Sequence, residues 1–173
     1  NLSTTLLNNL TTSQVTNLTS DQITALTTRQ INTLSTKSLA SLETADLAVL
    51  NTTQVRALGS AQLGSLTTDQ VVSLTTLQVS KLSTVQLVGL TSVQIKSIET
   101  EDLLTLSTAQ LSKLTTAQLT GLSTTQIDVL TTTQLNGMST QQLSALSTLQ
   151  IAALKTDHVS ALKTTQLAAL TTT

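Results

Sequence analysis

Aliphatic residues recur along the chain at alternating intervals of five and three positions. From Leu2, steps of eight reach Leu, Ile98 or Met138 every time up to Leu170, and a second aliphatic residue lies five positions after each of these up to Leu162. A continuous helix turns about 100° per residue, so this period would spread the aliphatic residues around the whole helix. In a continuous strand the odd intervals would place them on opposite faces. The chain must therefore turn once in every octapeptide.

The polar residues between the two aliphatic positions indicate a short helix in each repeat. We number the repeat from its first aliphatic residue, so that Leu114 is position one and Leu119 is position six. Thr115 is then an N-cap candidate, and Gln118 stands where a capping box requires Glu or Gln. Leu114 and Leu119 occupy the two positions of a hydrophobic staple. Position three is always Ser or Thr, whereas position two varies, so both remain candidates for the N-cap.

This pattern predicts an all-α fold, a solenoid of very short helices with one helix per repeat. The array is a single uninterrupted one over residues 1–173, about 21 octapeptides. Helices this short are unstable alone, so repeats must stack, and the mostly small residues at position eight favour close stacking. The number of repeats per superhelical turn is open. Apolar Val72, Val88 and Leu104 at position seven suggest that alternate repeats meet.

A β-solenoid is the alternative fold, with Thr-rich strands and ladders of Gln. A flat, Thr-lined face on such a fold would suit binding to ice or to a polysaccharide. Leu at position one, abundant Gln and Ala, and the lack of regular Gly or Asn at turns favour helices instead.

The composition excludes several function classes. The chain has no Phe, Tyr, Trp, Pro or Cys, and its 8 basic and 9 acidic residues are spread singly along it. Stacking on bases and a field that attracts nucleic acid are therefore not expected. No apolar run approaches the roughly 20 residues that cross a bilayer, so we predict no membrane insertion.

Candidate chemical groups are few. His158 takes the position-five place of Gln beside Asp157; it lacks the partners that catalysis or a metal would need, and we interpret it as a solvated substitution. Glu99, Glu101 and Asp102 form the densest acidic group, whose simplest interpretation is an exposed helix start. We therefore predict no catalytic residue, no metal site, no cofactor and no enzymatic activity.

Two surface features complete the candidates. Apolar residues at the normally polar position four, Leu77, Val85 and Val93 with Leu149 further on, predict an exposed patch through which copies self-associate. Sequons for N-glycosylation begin at Asn1, Asn9, Asn17 and Asn51, and they matter only in a glycosylating secretory pathway.

The motif L-[ST]-T-x-Q-[LIV]-x-x resembles the octapeptide arrays of large bacterial surface or secreted proteins of the adhesin-like kind. The resemblance covers the whole chain and carries over no catalytic residues. It implies an extracellular or cell-surface location and a role as a stalk, spacer or self-assembling fibre segment. It also implies that the chain is a piece of a longer array. The alternative role is a solenoid that binds a protein or a surface glycan.

Overall fold

The computed structural model describes residues 3–170, apart from the side chain of Asn8. These residues form 21 helices of four to seven residues each, one per octapeptide, and contain no strand. The prediction of an all-α solenoid is confirmed, and the β-solenoid alternative is wrong.

The chain divides into two compact units, Asn1–Leu90 and Thr91–Thr173, here called unit 1 and unit 2. Unit 1 contains α1 (Thr4–Asn8), α2 (Thr12–Thr16), α3 (Ser20–Thr24), α4 (Thr28–Thr33), α5 (Thr36–Ala40), α6 (Thr44–Ala48), α7 (Thr52–Ala57), α8 (Ser60–Gly64), α9 (Thr68–Val72), α10 (Thr76–Ser80) and α11 (Thr84–Gly89). Unit 2 contains α12 (Ser92–Ser97), α13 (Thr100–Thr105), α14 (Thr108–Leu111), α15 (Thr116–Gly121), α16 (Thr124–Val129), α17 (Thr132–Asn136), α18 (Thr140–Ser144), α19 (Thr148–Ala152), α20 (Thr156–Ala161) and α21 (Thr164–Leu170).

Position two of the repeat is the N-cap, which answers the question that the sequence left open. Thr115 has extended backbone angles, φ −70° and ψ 159°, and α15 begins at the next residue. Its hydroxyl accepts the N–H of Gln118 at 3.2 Å, while Oε1 of Gln118 accepts the N–H of Thr115 at 2.9 Å. This reciprocal pair is the predicted capping box. It closes the start of a helix that is too short to be stable alone.

Both aliphatic rows are buried. Leu119 at position six is 0% exposed and Leu114 at position one is 3% exposed, and the same holds in most repeats. The burial weakens towards the limits of the described residues, where Val159 is 40% exposed. Within each unit the two rows therefore form an aliphatic core, as predicted.

Helices three apart along the chain pack against one another, so one turn of the solenoid takes three octapeptides, or 24 residues. Unit 1 consists of the stacks α1–α4–α7–α10, α2–α5–α8–α11 and α3–α6–α9. Unit 2 consists of the stacks α12–α15–α18–α21, α13–α16–α19 and α14–α17–α20. The prediction that alternate repeats meet, made from Val72, Val88 and Leu104, is therefore wrong. Each repeat stacks on the third repeat along the chain.

Position three lies against position eight of the helix stacked on it, as the glycines at position eight show. A Cβ built on Gly89 would lie only 2.6 Å from the Cβ and the carbonyl oxygen of Ser60. A Cβ on Gly121 would lie 2.9 Å from the same two atoms of Ser92. At these contacts the two backbones meet with no room for a larger side chain, as the small residues at position eight predicted.

Candidate functional site

The main polar feature inside each unit is the buried Gln at position five. Gln142 is 5% exposed, and its Oε1 accepts the N–H of Ser139, the N-cap of its own helix α18, at 2.9 Å. Its Nε2 donates to the carbonyl oxygens of Leu111 and Leu114, at 3.3 and 2.8 Å. Leu111 is the last residue of α14 and Leu114 follows three residues later; the carbonyl of Leu111 also accepts the N–H of Leu114, whereas the carbonyl of Leu114 has the Gln amide as its partner. One side-chain amide thus closes the start of one helix and the end of another.

The same link recurs in both units. Its two main acceptors always lie 31 and 28 residues before the Gln, as in the bonds from Gln62 to Ile31 and Leu34 at 3.0 and 2.7 Å. Residues that make it include Gln54, Gln62, Gln70, Gln78 and Gln86 in unit 1, and Gln126, Gln134, Gln142, Gln150 and Gln166 in unit 2. We call it the Gln link. The sequence predicted only its Oε1 half, because a capping box requires only an acceptor.

Position five departs from Gln in both units; Leu6 there is exposed, whereas the other replacements are buried, namely Ser38, Asp46, Asp102 and His158. Asp46 is 4% exposed, and its Oδ1 accepts the hydroxyl of Ser20 at 3.1 Å. Ser38 bonds to the hydroxyl of its own N-cap, Ser35, at 2.7 Å. Neither side chain can reproduce both halves of the Gln link, since Ser is too short and a carboxylate cannot donate.

His158 serves as a substitute cap. Its Nδ1 accepts the N–H of Lys155 at 3.2 Å, in place of a Gln oxygen, and the side chain is 4% exposed. This corrects the interpretation of His158 as a solvated residue, since it occupies a buried structural position. Among residues 3–170 no three His, Asp or Glu side chains lie close enough to hold a metal ion.

The acidic group is divided between surface and interior. Glu99 is the N-cap of α13 and Glu101 is in its first turn, and both are exposed, whereas Asp102 is only 3% exposed. The expected exposed helix start is therefore correct for two of the three residues. Glu99 and Glu101 line a shallow depression of about 490 Å³ together with Lys96, which balances part of their charge.

The apolar residues at position four are exposed but do not lie on one stack. Leu77 is 60% exposed on α10, Val85 is 68% exposed on α11, and Val93 is 63% exposed on α12. Within unit 1, α10 packs on α7 whereas α11 packs on α8, so Leu77 and Val85 face different sides. The predicted contiguous patch is wrong for these two residues, because consecutive helices belong to different stacks.

The sequons occupy exposed positions where the structure describes them. Asn9 and Asn17 are exposed at the ends of α1 and α2, and Asn51 is the exposed N-cap of α7. Oδ1 of Asn51 accepts the N–H groups of Thr53 and Gln54, both at 3.0 Å. Asn1 lies outside the described residues.

No helix in the described part of the chain is long and apolar enough to cross a membrane. No curated protein matches the chain. The sequence does match a family described as the ALTTAQ repeat, over residues 39–76, 95–132, 127–156 and 135–172. In this chain Leu114–Gln118 reads Leu-Thr-Thr-Ala-Gln, the segment that carries the N-cap and the Gln link. Because the matches cover well over half of its length, the chain belongs to the ALTTAQ repeat family.

Proposed function

We propose that the chain is a non-enzymatic spacer, a structural array whose role is to hold whatever it is joined to at a distance. The observation that carries this proposal is the uniformity of the Gln link, which repeats with the same two offsets through both units. A contact that renews itself every octapeptide allows length to be added without changing the interior. The residues that could have carried chemistry support the same role. His158 is a buried cap, and Asp102 is buried whereas Glu99 and Glu101 are exposed.

The spacer role is tested by changing the number of layers. Inserting a copy of residues 115–138 after Met138 adds three octapeptides, which form one layer of the solenoid. Packed helices lie about 8–10 Å apart, so each inserted layer should lengthen the particle by about that amount in small-angle X-ray scattering. Two inserted layers should double the increase. A particle that swells without lengthening would contradict the proposal.

We further propose that the spacer lies outside the cell, at the surface or secreted. The exposed face of the array is rich in Thr and Ser and has few charges, with a net formal charge of −1, and the resemblance to bacterial surface arrays points the same way. Treating intact source cells with a protease should remove the array, as followed by an antibody raised against residues 1–173. An array that is cut only after lysis would place it inside the cell and refute this part of the proposal.

A further inference from the structure

The three stacks of unit 1 separate its charges by sign, although the charges look scattered in the sequence. Arg29 on α4, Arg56 on α7 and Lys81 at the C-cap of α10 share one stack, which carries no acidic residue among its described helices. We call Arg29, Arg56 and Lys81 the basic face. The separation becomes visible only when the sequence is arranged in layers of 24 residues.

A second stack of unit 1 carries only acidic charges. Asp21 is on α3, Glu43 is the N-cap of α6 and Asp69 is on α9. We call Asp21, Glu43 and Asp69 the acidic face; the buried Asp46 lies on the same stack, which has no Lys or Arg. The third stack carries a single charge, Lys37. Unit 1 therefore has one basic side and one acidic side.

The charges of both faces are available to a partner. All six side chains of the two faces are exposed. Among residues 3–170 the ion pair found is that of Lys155 with Asp128 in unit 2, so no contact within unit 1 neutralises either face. Arg56 and Lys81 line one shallow depression of about 460 Å³ with Thr52 and Thr53. No acidic residue lines it, and a carboxylate is the group that a guanidinium beside an ammonium binds best.

We propose that copies of this chain associate side by side, with the basic face of one unit 1 against the acidic face of unit 1 in the next copy. The two faces match in layout, because each carries one charge in each of three successive layers. Two copies share the same layer spacing, so three ion pairs can form together. The contact joins different surfaces and leaves one face free on each outer copy, so association can continue sideways.

Unit 2 does not separate its charges as cleanly, and the proposal is confined to unit 1. Its stack α13–α16–α19 carries Glu99, Glu101 and Asp128. However, Lys155 from the neighbouring stack is already paired with Asp128 at 3.3 Å, and Lys96 shares the depression of Glu99 and Glu101. The acidic side of unit 2 therefore has bases of its own nearby.

The contact goes beyond the spacer role and does not depend on it, since it concerns association in solution and not length or location. Exposed ion pairs are individually weak and are screened by salt. The whole chain should show concentration-dependent association by analytical ultracentrifugation at about 10 mM salt, and should be monomeric at about 1 M salt, where the Debye length falls from about 30 to about 3 Å. A chain that stays monomeric at low salt over the concentration series would overturn the proposal.

Two variants and their mixture identify the surfaces. The basic-face variant carries Arg29→Gln, Arg56→Gln and Lys81→Gln, and the acidic-face variant carries Asp21→Asn, Glu43→Gln and Asp69→Asn. Each alone should associate about tenfold more weakly than the parent chain. Mixed together they should form a one-to-one complex, because each retains the face that the other lacks. Lys37→Gln, on the third stack, is the matched control and should leave association unchanged.

The layered arrangement has its own control. Inserting two consensus octapeptides after Leu50 moves Arg56 and Lys81 onto the stack of Asp21 and Glu43, so the charges of unit 1 are no longer separated by sign. Inserting three octapeptides after Leu18, before the first charged residue, adds one layer and leaves both faces unchanged. Association should be lost in the first variant and kept in the second, while far-UV circular dichroism shows both to be helical. Equal association of the two variants, or failure of the mixture to form a complex, would refute the proposal.

Discussion

At the scale of the residue, the fold depends on one amide group with two tasks. The Gln oxygen accepts from the N-cap of its own helix, and the Gln nitrogen donates to the end of a helix four repeats earlier. Buried backbone groups that lose a partner cost about 1–3 kcal/mol each. Burying a polar side chain in an aliphatic core is therefore favourable here, since the Gln oxygen satisfies the N-cap N–H and the Gln nitrogen satisfies the carbonyl 28 residues earlier, such as that of Leu114.

Gln141 and Gln142 provide a matched pair of neighbours for testing this. Replacing Gln142 by Met keeps the side chain's length but leaves the N–H of Ser139 and the carbonyl of Leu114 without partners, while the carbonyl of Leu111 keeps only its bond from the N–H of Leu114. We expect a loss of about 2–4 kcal/mol in the free energy of unfolding, measured with urea. Gln141→Met changes an exposed residue and should shift stability by less than about 0.5 kcal/mol. Equal effects would mean that the link contributes nothing.

Gly59 is an N-cap without a side chain, and it offers a site for stabilisation. Its φ of −74° suits any residue, and a Cβ there would meet only Oε1 of Gln62, at 3.5 Å. Gly59→Ser should add the hydroxyl that other repeats have and raise the free energy of unfolding by about 0.5–1 kcal/mol. Gly59→Ala is the control, since it adds the Cβ without the hydroxyl. If Ala stabilises as much as Ser, the cap is not the cause.

The local part of this chemistry could be predicted from the sequence, whereas the part that crosses layers could not. Thr115, Gln118 and Leu119 have the spacing of a capping box and a staple, and the structure has both features. The bonds of the Gln nitrogen leave no trace in the sequence, because the partners of Gln142, for example, lie in a distant repeat with the same motif. The prediction that His158 is solvated was wrong for the same reason. Position five is buried by repeats that are distant in the sequence.

At the scale of the element, a helix of one to two turns is stable only because both its ends and one of its faces are occupied. The N-cap and Gln oxygen close its start, a Gln nitrogen closes its end, and positions one and six enter the core. Stacked helices also meet backbone to backbone at Gly89 and Gly121. At these two glycines the stacked helices approach more closely than any larger side chain would allow.

Gly89→Ala tests the close contact between α8 and α11. Ala favours helices intrinsically, but here its Cβ would lie 2.8 Å from Cα and 2.6 Å from the carbonyl oxygen of Ser60. We expect the clash to dominate and to lower the free energy of unfolding by about 1–3 kcal/mol. Gly59→Ala adds the same Cβ where its nearest neighbour would be Oε1 of Gln62 at 3.5 Å, and it serves as the reference. A stabilised Gly89→Ala variant would show that the two helices separate at little cost.

At the scale of the whole molecule, stability resides in the contact between layers. Within a unit, an interior layer packs on two other layers of that unit, whereas its first and last layers each pack on one layer of that unit. The sequence could not reveal that a layer takes three repeats, because every octapeptide has the same motif and any number per turn would bury the same rows. The packing of helices three apart along the chain identifies the turn.

Adding layers should therefore raise stability. Chains extended by one and by two copies of residues 115–138 should melt at progressively higher temperatures, with the second copy adding less than the first. Thermal unfolding followed by far-UV circular dichroism gives the midpoints. Midpoints that do not change with length would mean that each repeat is stable independently of its neighbours, contrary to the energetics of such short helices.

The Gln link also determines how the array would respond to a pulling force. Each link ties a helix to one about 30 residues earlier, so tension on the chain loads the links of the outermost layer before those further in. Releasing a layer would free 24 residues, about 80 Å of extended chain. A single molecule stretched between a surface and a cantilever should therefore lengthen in a series of equal steps of that size. An array that yields in this way dissipates a sudden load one layer at a time and recovers its length when the load is removed.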